Sequence, residues 1–320
     1  MNYHKTAFVL VSLMLVLIVA DVNAGREKEI IKTFDNKESV EINTVSGDCI
    51  VTKGNTEKIE VHLVYQIRPQ DSFEPKFQER GNKLRLGERF HGSSSGYSRW
   101  TITVPDETRI RFSSASGEFS IEGLKGEISA ETASGDITAR NCAGEFDLES
   151  ASGDIIINHF SGDVDVSTAS GDIRAVGIDG VVSLGTASGG IDVEGAKGEI
   201  ELESASGDID ASEIVIQDMS AFQTASGKVR VQLAESPVHH LILSSASGRV
   251  VLDYAGNPVE GYVEFVSRAD RGRIVSPFDF DDDEEFRDSG QWYVRKFFTK
   301  SADTPRIALE TASGKVVLKE

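Results

Sequence analysis

The chain has only two cysteines in 320 residues, too few for the dense disulfide framework that staples many small exported domains. Cys49 and Cys142 both fall where the pattern described below wants a small buried hydrophobe, and a bridge between them stays open. Positive charge is also scarce: 33 Lys and Arg stand against 52 Asp and Glu, a formal net charge of −19. That balance disfavours nucleic acid and anionic lipid surfaces as partners. The histidines are His4, His62, His91, His159, His239 and His240, and none has H-x-x-x-H or C-x-x-C ligand spacing. His239 and His240 precede a strand-like Leu241-Ile242-Leu243, where neighbouring side chains point to opposite faces and chelate poorly. Gly92-Ser93-Ser94-Ser95-Gly96 has the letters of a nucleophile elbow but sits in a serine-rich loop, without the strand-to-helix context that motif needs. No catalytic residue and no cofactor is assigned.

The amino terminus carries Lys5, an apolar run from Ala7 to Ala20, then Val22-Asn23-Ala24. This suits a signal peptide over residues 1–24, cleaved after Ala24. The run is short for a membrane span and lacks a basic stop-transfer flank, so no span is expected after cleavage; an uncleaved anchor is the alternative. Export to the periplasm, the cell surface or the medium follows.

What the sequence has in abundance is a repeat. Ala-Ser-Gly recurs with glycines at Gly117, Gly135, Gly153, Gly171, Gly189 and Gly207, and Gly126, Gly144, Gly162, Gly180 and Gly198 stand halfway between. A fixed nine-residue period of this kind signals a solenoid. Counting each glycine as position 1, position 3 is always apolar, as in Ile137, Phe146, Ile155 and Val164, and so is position 5, as in Ala139, Leu148, Ile157 and Val166. Position 4 is polar in every unit except at Ile156. That alternation describes a short strand with one buried face. Position 8 is apolar too, alternating Ala133, Ala151, Ala169 and Ala187 with Leu124, Cys142, Phe160 and Ile178. The step from 5 to 8 breaks strand parity, which predicts a corner where position 8 turns inward and glycine supplies φ > 0. Small alanines would then line one edge of the interior and bulkier residues the other.

Two units make an 18-residue coil, and coils stack about 4.8 Å apart. The predicted fold is all-β, a right-handed parallel β-helix or β-solenoid. Its expected organisation is a signal peptide over 1–24, an amino-terminal β cap with lead-in strands over 25–112, and solenoid repeats over 113–253. A carboxyl-terminal cap with an acidic loop and a final repeat strand would occupy 254–320. Irregular segments at the two ends would cover raw strand edges.

Much of the acidity is periodic. Position 2 is acidic at Glu118, Glu127, Asp136, Glu145, Asp154, Asp163, Asp172, Glu199 and Asp208. A carboxylate ladder for cations is one reading; a solvated corner that keeps a strand-rich rod soluble is favoured. The run Asp279, Asp281, Asp282, Asp283, Glu284 and Glu285 is the one discrete candidate for a metal, since oxygen-only ligands suit Ca²⁺. It lacks EF-hand spacing, and such runs are commonly solvated loops.

Val104-Pro105 leading to Arg109–Phe112, the Ser-Gly-acidic-hydrophobic units, and Arg273-Ile274-Val275-Ser276-Pro277-Phe278 before a final Ser-Gly strand resemble the bacterial DUF4097 family of β-strand repeat proteins. The resemblance covers residues 40–320. It implies a right-handed β-helix of the cell envelope, related to adhesin heads and carrying an adhesin label. The expected function is therefore an exported, noncatalytic binding or scaffold protein, with an envelope or surface protein or a polysaccharide as partner. The alternative is a β-helix carbohydrate-active enzyme acting on an extracellular polysaccharide.

The register has a direct test. Ile157→Asp buries an unpaired charge and should cost several kcal/mol or prevent folding. Ile156→Asp, on the outward position, should cost about 0.5 kcal/mol or less. Equal melting shifts for the two variants would refute the nine-residue register.

Overall fold

A computed structural model describes residues 27–320, so the expected signal segment lies outside the described residues. The chain winds into coils, each built around a long strand bent in the middle. The strands Ile137–Ser150, Ile155–Thr168, Ile173–Thr186 and Ile191–Ser204 stack in parallel, in register at one-coil steps. Residues before the bend form one sheet and residues after it another. The apolar positions 3 and 5 of both halves point between the sheets, where Ile155, Ile157, Val164 and Val166 are buried. Fully burying one such side chain contributes about 1.5–3 kcal/mol. Ile156, between two of them, is only half-buried.

The bend has two parts. Position 7 adopts left-handed backbone at Gly123, Asn141, His159, Gly177, Gly195 and Glu213, with φ between 53° and 74°. Position 8 then turns inward, burying Leu124, Cys142, Phe160 and Ile178. The glycines of this corner (Gly126, Gly144, Gly162, Gly180 and Gly198) take φ from 124° to 148°, as the pattern predicts.

The Ala-Ser-Gly corner is built differently from the expectation. Ala133, Ala151, Ala169 and Ala187 face solvent, and the residue before each is the buried one: Thr132, Ser150, Thr168 and Thr186. Strand parity simply runs on from positions 3 and 5 to 7, so a hydroxyl residue lines the interior edge. Nor do Gly117, Gly135, Gly153, Gly171, Gly189 and Gly207 have left-handed φ. They are glycines because consecutive coils touch backbone to backbone there. A Cβ on Gly153 would lie 1.9 Å from the Gly135 carbonyl oxygen, and one on Gly171 2.0 Å from that of Gly153.

From Ser150 to Thr224 each buried hydroxyl of this corner bonds twice. Thr168 Oγ1 accepts the Gly171 N–H at 3.2 Å and donates to the Gly153 carbonyl of the preceding coil at 3.2 Å. Ser150 does the same with Gly153 (2.8 Å) and Gly135 (3.2 Å), and Thr186 with Gly189 (3.1 Å) and Gly171 (3.2 Å). The column continues through Ser204, Thr224 and Ser245 to Thr311, which reaches back to Gly248. Buried polar groups that would otherwise be orphaned at a tight corner are thereby satisfied coil after coil.

The ends are not threaded in sequence order. Ser39–Asn43 lies between Lys83–Phe90 and Arg109–Ser114, and Asp48–Lys53 lies between Ser95–Val104 and Phe119–Glu122, all parallel. The region expected as a cap thus contains further coils, closed off by antiparallel strands: Lys28–Asp35 on Lys58–Arg68, and Phe73–Arg80 on Lys83–Phe90. The carboxyl end mirrors this. Arg306–Thr311 and Lys315–Lys319 insert between the coil of Leu241–Asp253 and the outermost strands Gly261–Arg268 and Arg273–Val275. Gln291–Lys300 and Asp282–Asp288 then add antiparallel strands at the sheet edge.

Both cysteines are buried and free. Replacing Thr168 by Val keeps its shape but strands the Gly171 N–H and the Gly153 carbonyl. The expected loss is about 1–3 kcal/mol, against about 0.5 kcal/mol or less for exposed Ser167→Ala. Denaturant midpoints would show it; a Thr168→Val protein as stable as the parent would contradict the role assigned to the hydroxyl column.

Candidate functional site

Outward positions of stacked strands form straight rows, and on the sheet that follows the bend those rows are acidic. Position 2 gives Glu127, Glu145, Asp163, Val181 and Glu199 in order along the rod. Position 4 gives Ser129, Asp147, Asp165, Ser183 and Glu201, and position 6 gives Glu131, Glu149, Ser167, Gly185 and Glu203. All these carboxylates are exposed. Of these carboxylates only Glu127 has an ion-pair partner among the described residues, Arg109 at 2.7 Å. The other sheet is mixed: its position 4 row runs Thr138, Ile156, Arg174, Asp192, Asp210 and Arg230.

At its carboxyl end the acidic face opens into a cleft of about 610 Å³. The position 6 row continues through Gln223 and Ser244 to Glu310, which form the floor. The antiparallel strands Asp282–Asp288 and Gln291–Lys300 form a wall carrying Phe286, Tyr293 and Arg295. Phe286 and Tyr293 stack at 5.6 Å, and the Arg295 guanidinium lies 4.9 Å from the Phe286 ring centroid. Arg295 pairs with Glu284 at 3.2 Å and lies 3.6 Å from Glu264, while its buried Nε makes no hydrogen bond. Burial, then the neighbouring Glu264 charge, pushes the Glu310 carboxyl above the usual glutamate range, partly offset by Arg295. A stacked aromatic pair beside a cation, over a floor of amide, hydroxyl and carboxyl, can hold a ligand with both polar and flat apolar parts.

The acidic corner on the other sheet is exposed and has a structural duty. Asp136 Oδ1 accepts the Asp154 N–H at 2.9 Å, Asp154 that of Asp172 at 2.8 Å, and Asp172 that of Gly190 at 2.8 Å. These carboxylates are bonded to backbone one coil on.

The acidic run is only partly a loop. Asp282, Asp283, Glu284 and Glu285 lie on an edge strand, with Asp283 opposite Lys296 and Glu284 opposite Arg295. Opposite-charge cross-strand pairs favour that pairing, and the charged edge discourages further strand addition. Asp281 accepts the Thr299 N–H at 2.7 Å, and Asp279 is exposed. Among the described residues no group of three or more His, Cys, Asp or Glu is placed to hold a metal ion. His240 Nδ1 accepts the Arg306 N–H at 3.0 Å, and the serine-rich stretch leads into the strand Ser95–Val104. The cleft itself escaped sequence reading, because its wall comes from a hairpin outside the repeat.

Fold and surface together define a parallel β-solenoid with one strongly acidic face. The family profile described as Toastrack DUF4097 matches residues 38–263, and the chain belongs to that family. Among solved structures, a "putative adhesin" from Parabacteroides merdae is similar at 10% identity and TM-score 0.37, covering 92% of this chain and 96% of that one. A "putative lipid binding protein" from Parabacteroides distasonis is similar at 11% identity and TM-score 0.36, with 92% and 97% covered. No curated protein matches the sequence. Among the described residues no helix is long and apolar enough to cross a membrane.

Because the Glu310 carboxyl binds its proton more tightly in the folded state, folding stability should fall as pH rises from the usual glutamate range through the raised value. Glu310→Gln removes that loss. Its melting temperature should exceed the parent's at neutral pH, and the gap should close by about pH 4. A gap independent of pH would contradict the environment assigned to Glu310.

Proposed function

We propose that this protein is an exported, noncatalytic, adhesin-like solenoid of the cell envelope, which binds a surface protein or polysaccharide through the acidic face and the cleft at its end. The observation that carries this reading is the largely unpaired carboxylate array itself. Rows of like charge at strand spacing repel one another, and the fold keeps them exposed on one sheet while the other sheet is mixed. A rigid face of one sign attracts cationic or weakly polar partners and favours fast encounter more than high affinity per contact. The other recurring chemistry of the repeat, its hydroxyls, glycines and corner aspartates, is occupied in holding coils together.

The test uses the mature protein on glycan arrays, peptidoglycan and envelope protein fractions. Reversing Asp147, Asp165 and Glu201, which share one row, should weaken binding to any partner found, and raised salt should weaken the parent's binding too. Binding indifferent to both would overturn the assignment of this face. Turnover of a polysaccharide, abolished by a single carboxylate substitution in a folded variant, would replace the reading with the carbohydrate-active one.

A further inference from the structure

The corner aspartate ladder changes sign before the rod ends. Position 2 is Asp136, Asp154, Asp172 and Asp208 in successive coils, with Gly190 intervening, and then becomes Lys228, Arg249 and Lys315. Strand register stacks these last three directly over one another, and Arg273 of the outermost strand continues the line beside Lys315. The cations therefore recur at about 4.8 Å, the spacing of hydrogen-bonded strands. Lys228 is answered by Asp208, at 3.1 Å. Among the described residues Arg249, Lys315 and Arg273 have no ion-pair partner.

Three further features favour an occupant. Lys228, Arg249 and Lys315 line a cleft of about 640 Å³ that also takes in Asp208 and Ser226, Ser247 and Ser313 with their following glycines. Those hydroxyls bond to no other side chain among the described residues, and each sits two residues before a cation of the ladder. Further up the rod, an aspartate accepts the corner N–H of the next coil. Here the preceding residue is Lys228 or Arg249, so the corner N–H groups of Arg249 and Lys315 have no carboxylate above them. Stacked cations, hydroxyls and open N–H groups along one line, with the one carboxylate of the cleft, Asp208, already paired to Lys228, make a donor-rich surface, the complement of an oxyanion.

We infer that this corner binds a linear phosphate-bearing anion, laid along the rod so that its phosphates reach cations of more than one coil. The ladder suits a chain better than a lone phosphate, because its donors repeat along a line instead of converging on a point. No aromatic side chain lines the cleft, so it offers nothing for bases to stack on, which separates the occupant from single-stranded nucleic acid. The overall negative charge does not forbid this. At physiological ionic strength charges farther apart than about 8 Å are largely screened, and the acidic rows lie on the opposite side of the Ala-Ser-Gly edge. This surface is separate from the acidic face and does not depend on its partner.

Tripolyphosphate is the probe, with binding followed calorimetrically on the whole mature chain. Binding should be measurable at low salt, weaken as salt rises, and exceed that of inorganic phosphate by about tenfold. Arg249→Glu with Lys315→Glu should lower the affinity at least about tenfold, while Glu199→Lys on the acidic face should not. Because both ladder positions are at the solvent edge of the corner, the melting curve should be retained; if reversal disturbs it, Arg249→Gln with Lys315→Gln gives the same comparison at lower cost to the fold. Absence of tripolyphosphate binding at low salt, or equal affinity in the ladder variants, overturns the proposal. So does binding to phosphatidylglycerol vesicles without binding to the soluble chain, which would assign the corner to a membrane surface.

Discussion

The structure depends on a buried hydroxyl that serves two coils at once. At every Ala-Ser-Gly corner the backbone of one coil lies against the backbone of the next, so closely that only glycine fits. Such a contact would leave an N–H and a carbonyl unsatisfied in the interior, each costing about 1–3 kcal/mol. One Ser or Thr three residues before the glycine accepts the first and donates to the second. The tetrapeptide Ser/Thr-Ala-Ser-Gly is thus a complete joint: hydroxyl for the bonds, two exposed small residues for the turn, glycine for the approach. The other corner has no such joint and relies on left-handed backbone and on bulky residues such as Phe160, which packs 4.7 Å from Phe146.

Once the joint fixes the register, the surface follows. Identical offsets from coil to coil turn each outward position into a row, and whatever charge the sequence places there is repeated along the rod. The same geometry produces an acidic face, a corner where aspartates cap the next coil's N–H groups, and a cationic stretch where the series changes sign. The surface features of such a fold reside in rows and in the places where a row is interrupted. The cap hairpin, with Tyr293 and Arg295, makes one interruption; the shift from Asp208 to Lys228 makes another.

Much of this was legible in the sequence because period-two alternation and glycine spacing are strong local signals. The strand register, the buried Ile155 and Ile157, the inward Cys142 and Phe160, and the solvated aspartate corner all follow from them. The Ala-Ser-Gly corner was misread for a physical reason. Alanine at position 8 is apolar, and its counterpart at the other corner is buried, so hydrophobicity pointed to it over the polar Thr168 that occupies the interior. A polar residue goes inside only when its bonds are satisfied, and those partners belong to another coil. The signal was present nonetheless, as an invariable Ser or Thr before each Ala-Ser-Gly. The inserted terminal coils were beyond reach, because nothing local says that Arg306–Thr311 pairs with both Leu241–Ser245 and Gly261–Arg268. The acidic run became an edge strand for the same reason: its pairing partner follows after a turn and brings the opposite charges.

The most direct test of the account is excision of one whole coil compared with half of one. Deleting Gly153 to Ser170 joins Ser152 to Gly171 and leaves every hydroxyl over a glycine of the preceding coil. Circular dichroism and thermal melting should show a cooperative, shorter rod. Deleting Gly153 to Ser161 joins Ser152 to Gly162, stacks the hydroxyl joint over the left-handed corner, and should abolish cooperative folding. Equal tolerance of the two deletions would contradict the claim that the coil, held by its hydroxyl joint, is the unit of this fold.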